Sequence, residues 1–108
     1  MFDPDAPSRE GDGSGPGTAG PWLHALWTGC KGGDTDQGEV VVEYNPPAPP
    51  SGTGEHRYIF VQFKQKKGAE VKVASKERKQ WDLKGFVEAN QEVLTATGVN
   101  FFYASPAS

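Results

Sequence analysis

The sequence predicts a mostly antiparallel β domain with one peripheral helix, and three observations carry that expectation. The run Glu55 to Gln65 (EHRYIFVQFKQ) is rich in β-branched and aromatic residues. A period of two places His56, Tyr58 and Phe60 on one face and Arg57, Ile59, Val61 and Phe63 on the other. GEVVVEY (Gly38 to Tyr44) and GVNFFYA (Gly98 to Ala104) read as further strands, the first ended by the prolines that follow it. Only one stretch reads as helix: Asp82 is a natural N-cap for Leu83 to about Val93, with Leu83, Phe86 and Val87 on one stripe and Gly85 weakening it.

The remaining elements follow in order. FDPDAPSR (Phe2 to Arg9) packs Asp3, Pro4, Asp5 and Pro7 into a rigid acidic turn whose carboxylates accept from neighbouring backbone donors. PWLHALWTG (Pro21 to Gly29) is short and apolar. As a single strand it sets Trp22, His24 and Leu26 on one face and Leu23, Ala25 and Trp27 on the other. Pro46, Pro47, Pro49 and Pro50 hold an extended segment that cannot pair as sheet, and Gly52 and Gly54 then permit a reversal into the strand at Glu55. Residues 66 to 80 read as a charged loop in which AEVKVAS is a short edge strand protected by Lys72.

A chain of 108 residues with 35% hydrophobic content suits one domain with a modest core, reduced further by the glycine-rich stretches at 8–20 and 29–38. No apolar run approaches the roughly 18 residues of a membrane span, and the acidic N-terminus lacks the layout of a signal peptide, so a soluble, cytoplasmic protein is expected. Cys30 is the only cysteine, which excludes an internal disulfide and a multi-thiolate metal site. The net charge of −3 conceals an asymmetry. Residues 1–55 carry nine acids against Arg9 and Lys31, a balance of −7, whereas residues 62–84 carry eight bases against Glu70, Glu77 and Asp82, a balance of +5. That basic stretch suits phosphate, anionic lipid or nucleic acid. No aromatic residue interleaves with its lysines before Trp81, so a solvated loop without direct nucleic-acid binding is the preferred reading.

Taken together, DPDAPSR, then WLH, then PPSGTGEHRYIF resemble, in this order, the phosphatidylethanolamine-binding proteins, the family that includes the Raf kinase inhibitor and flowering locus T proteins. The resemblance continues through FVQFKQ and DLKGFVEAN to GVNFFYA. It covers almost the whole chain, weakening at a glycine-rich insert at about 10–20 and at Lys66 to Gln80. It implies one domain over residues 1–108, an antiparallel β-sandwich with a peripheral helix. That sandwich is expected to be incomplete, because the family has β-structure before DPDAP and many members continue into a C-terminal helix. Pro46 replaces a family glycine. Strands lacking partners would expose a long apolar edge, so the chain alone is expected to associate or to be marginally folded.

The resemblance also implies a site. In the family a small cavity for phosphate-like anions is lined by residues that here are Asp3, His24, His56 and Tyr58, bordered by Trp22 and Pro50. The strand parities agree, since Trp22 shares a face with His24, and His56 with Tyr58. Two imidazoles and a phenol can donate to phosphate oxygens, while Asp3 can orient an imidazole or receive a ligand ammonium. The implied function is a non-enzymatic binding module for a phosphorylated small molecule or phospholipid head group that regulates kinase or transcription-factor partners. No cofactor is implied, and although Asp3, His24 and His56 form a donor set suited to zinc, nothing in the resemblance requires a metal. Two alternatives stand beside it: a small hydrolase using Asp3, a histidine and Ser8, for which no nucleophile elbow is present, and a protease inhibitor or scaffold.

Overall fold

The alternation at Glu55 to Gln65 produces the longest strand pairing among the described residues of the structure, a computed structural model that describes residues 1–6, 20–31, 36, 38–49, 51–52 and 54–106. In chain order the elements are β1 (Phe2–Asp3), β2 (Trp22–Leu23), β3 (Leu26–Thr28), β4 (Glu39–Val42), β5 (His56–Gln65), α1 (Leu83–Ala89) and β6 (Leu94–Ala104). They form a four-stranded antiparallel sheet, ordered β2-β1-β5-β6, and a two-stranded sheet of β3 and β4. The fold is therefore mostly antiparallel β with one short helix, as expected.

β5 divides the molecule by its parity. Ile59, Val61 and Phe63 pack against a core of Phe2, Leu23, Val42, Trp81 and Phe86, while Tyr58 joins Met1 and Ala25 in a second cluster on the other face. β6 pairs with β5 along its whole length, from His56 opposite Ala104 to Gln65 opposite Leu94. It begins before Gly98, the start expected from sequence, because Gly98 lies beside a bulge: Gln62 faces Gly98 and Phe63 faces Ala96, leaving Thr97 as the extra residue.

Three local expectations are corrected. Pro21 to Gly29 is not one strand. His24 N and Ala25 N both donate to the Met1 carbonyl, at 2.9 and 3.2 Å, and this doubled contact slips the alternation. Leu26 therefore packs on the Leu23 core rather than on the face of Trp22 and His24. AEVKVAS is not a strand but a loop, because Asn90 takes the place of a strand partner: its side chain accepts from Lys72 N at 2.7 Å and donates to the Lys72 carbonyl at 2.8 Å. The same Asn90 amide reaches the Phe86 carbonyl at 2.9 Å and ends α1 at Ala89 rather than near Val93. Val87 is exposed, so the buried side of the helix runs through Leu83, Phe86 and Asn90. Asp82 caps the helix as expected, accepting from Gly85 N at 2.9 Å, and a Cβ at residue 85 would collide with that carboxylate.

Candidate functional site

The DPDAP turn presents Asp3 through its own backbone. Asp3 Oδ1 accepts from Asp5 N at 2.8 Å, closing an Asx turn, which leaves Oδ2 to accept from His56 Nδ1 at 2.6 Å across the β1–β5 boundary. A carboxylate oxygen only accepts, so the His56 proton sits on Nδ1. Asp5 ties the same turn to β5 by accepting from Arg57 N and Nε, both at 2.9 Å, and from Arg57 Nη2 at 2.8 Å. This forked contact holds the guanidinium still more firmly in its charged form.

His24 is fixed from the opposite side. Its Nδ1 donates to the Asn45 carbonyl at 2.6 Å, and Asn45 N returns a bond to the His24 carbonyl at 2.8 Å. Arg78 clamps the backbone around it, donating from Nη1 to the Leu23 and His24 carbonyls at 3.1 and 3.0 Å and from Nη2 to the Glu43 carbonyl at 2.7 Å. The proline run therefore leaves from a residue already bound to the site. It returns through Gly52 and Gly54, whose φ angles of 81° and 73° supply the expected reversal.

Tyr58 lies between the two imidazoles. Its ring meets His24 edge-on at 5.2 Å, stacks near His56 at 6.3 Å and stacks on Phe102 of β6 at 5.3 Å. Burial is deep: Asp3 is 3% exposed, His24 5%, and His56 and Tyr58 1% each. Desolvation pushes the Tyr58 hydroxyl up to about 12, reinforced by the negative charges of Asp3 and Asp5. Desolvation likewise lowers His24, although the Asn45 carbonyl and Asp3 oppose the shift. With both Nδ1 atoms engaged, protonation of either histidine places its new N–H on Nε2. Protonation thus adds hydrogen-bond donor capacity at the Nε2 of the ring that takes up the proton.

Four of the six residues expected at the site are thus brought together: Asp3, His24, His56 and Tyr58. Trp22 stands directly opposite Asp3 in the β1–β2 register and is half-buried, which makes it a neighbour of the set on the same face. Pro50 and Ser8 lie outside the described residues, as does the glycine-rich insert except for Gly20. Sequence reasoning missed Asn45, Phe102, Arg78 and the Asp5–Arg57 pair. Only the position of Asn45, immediately before the prolines, offered a signal. Among the described residues no group of three or more His, Cys, Asp or Glu side chains is arranged to hold a metal ion. Nor is any helix there long and apolar enough to cross a membrane.

A model of the phosphatidylethanolamine-binding protein family matches residues 1–102. The chain belongs to that family. Among curated relatives, the carboxypeptidase Y inhibitor of Saccharomyces cerevisiae (strain ATCC 204508 / S288c) is 36% identical over 80 residues, an alignment covering 66% of this chain and 36% of the relative. Among solved structures, the carboxypeptidase Y inhibitor complexed with its cognate proteinase superposes with a TM-score of 0.64 at 26% identity, covering 97% of this chain and 57% of that one. The chain therefore spans about a third of the curated relative's length and little more than half of the solved chain. The resemblance seen in the motifs is borne out.

Proposed function

We propose that this chain is a non-enzymatic binding module of the phosphatidylethanolamine-binding protein family that takes a phosphate-like anion, such as a phosphorylated small molecule or a phospholipid head group, at Asp3, His24, His56 and Tyr58. The observation that carries this reading is the burial of both imidazoles against Tyr58, each anchored at its Nδ1. Asp3 and the Asn45 carbonyl each accept from an Nδ1, so in this reading a proton taken up by either ring adds a donor at Nε2. Because the four side chains are buried, anion entry requires movement of their cover, and Phe102 stacked on Tyr58 is the nearest part of it. Trp22 and Pro50 border the site in this reading, residues 1–108 act as one domain, and a kinase or other signalling protein reads the occupied rim in the cytoplasm. Calorimetric titration with phosphoethanolamine tests the ligand: millimolar or tighter binding that His56→Gln abolishes is expected, and the absence of heat with the folded wild-type chain overturns the reading.

A second reading, protease inhibition, is favoured by the yeast inhibitor to which the chain is similar. Residual carboxypeptidase Y activity in the presence of excess chain tests it separately, and undiminished activity removes it.

A further inference from the structure

Arg78 belongs to the charged stretch of residues 66–80, yet it is turned inward. Lys76, Glu77, Lys79 and Gln80 around it are exposed, whereas Arg78 is half-buried. The backbone explains the placement. Leu23 N donates to the Arg78 carbonyl at 2.8 Å and Trp81 N to the Pro21 carbonyl at 2.7 Å, so residues 78–81 run antiparallel beside residues 21–23. Trp81 is buried against Phe2 and Phe86, with ring centroids at 5.9 and 5.6 Å, which anchors the stretch in the core. From there the Arg78 side chain reaches two segments at once. Nη1 donates to the Leu23 and His24 carbonyls, and Nη2 to the Glu43 carbonyl. The first segment carries the His24 imidazole. The second leads directly to Asn45, whose carbonyl accepts the His24 Nδ1 proton.

We propose that Arg78 is a positioning residue for His24, holding the segment that bears the imidazole and the segment that bears its acceptor at one fixed separation. Its effect on ligand binding rests on the anion-site reading above; its effect on the imidazole does not. The role is one of geometry rather than charge. All three acceptors are neutral carbonyls, and a rigid planar fork can address both segments together. The His24 carbonyl has both acceptor positions filled, by Asn45 N at 2.8 Å and by Nη1 at 3.0 Å, so its peptide plane cannot turn without breaking both bonds. A lysine at this position offers a compact ammonium on a flexible stem, which satisfies one segment and releases the other. The freed imidazole then loses its constant partner, and its neutral form divides between the two tautomers. His56 stands outside this arrangement, since Asp3 fixes its Nδ1 across the β1–β5 boundary. It is therefore an internal reference.

The test uses the whole chain and its Arg78→Lys variant, which keeps the charge and removes the fork. At mildly alkaline pH, long-range proton–nitrogen spectra should show wild-type His24 with its proton on Nδ1 and the variant with a mixture of Nδ1 and Nε2 forms, while His56 is the same in both. Phosphoethanolamine affinity, measured by calorimetry, should fall about tenfold or more in the variant. An unchanged His24 tautomer or an undiminished affinity in the folded variant overturns the proposal. So does an equal change at His56, which marks a general loosening. The wild-type chain supplies a second decision that holds even where the variant fails to fold. Its Arg78 guanidinium should show separate, slowly exchanging Nη resonances, and a freely rotating guanidinium beside an intact His24 Nδ1–H overturns the proposal. If the wild-type chain binds no phosphoethanolamine, the anion-site reading fails, while the spectra still decide the role of Arg78.

Discussion

The two halves of β5 obey the same alternation but have opposite fates. Between His56 and Ile59 the strand has β1 on one edge and β6 on the other, and His56 and Tyr58 are almost inaccessible. Two residues on, Phe60 lies on the same face as Tyr58 yet is 37% exposed, in a part of β5 that among the described residues pairs with β6 alone. Pairing on both edges, rather than residue type, decides which aromatic becomes core.

The largest effect that separates the halves is truncation of their aromatics. Tyr58→Ala removes a buried ring packed on His24 and Phe102 and should cost about 3–5 kcal/mol, whereas Phe60→Ala should cost about 1 kcal/mol or less. Urea unfolding of both variants checks this, and equal losses would dissolve the distinction. Next in size is Asp3→Asn. It replaces a charged acceptor for His56 Nδ1 with a neutral amide and should cost about 1.5–3 kcal/mol. Removing the helix cap by Asp82→Ala, far from either half of β5, should cost about 1 kcal/mol by the same measurement.

Much of this arrangement was legible in local sequence, and the failures share a cause. The DPDAP turn, the strand parity that unites His56 with Tyr58, and the Asp82 cap depend on residues a few positions apart, where propensity and hydrogen-bonding chemistry decide. The break in Pro21 to Gly29 depends on the Met1 carbonyl receiving two donors, and the loop at Lys72 depends on Asn90; neither contact has a local signature. Phe102 was hidden for the same reason. Its place on Tyr58 follows from the β5–β6 register, in which Tyr58 faces Phe102, and register is set by the folded sheet. The family motifs pointed to Asp3, His24, His56 and Tyr58 together because they encode those long-range contacts indirectly.

The effects of pH are confined to conditions away from neutrality. His24 is lowered in the folded state, so the unfolded chain takes up its proton first. Stability should therefore fall as pH drops below 6.5, the ordinary value, toward the lowered one. Tyr58 gives the opposite wing: with its hydroxyl pushed from 10.0 to about 12, stability should fall as pH rises through that interval. Thermal melts across both ranges check the signs, and His24→Gln and Tyr58→Phe should flatten the acid and alkaline wings respectively.

The most direct test of the histidine face as an anion site is a long-range proton–nitrogen spectrum of the imidazoles, recorded with and without phosphoethanolamine near pH 6.5. The Nδ1 resonances of His24 and His56 should remain protonated and nearly fixed, held by the Asn45 carbonyl and Asp3. Both Nε2 resonances should move toward the protonated position as ligand is added. Imidazole spectra unchanged at millimolar phosphoethanolamine would contradict the account, leaving the two histidines as buried structural groups.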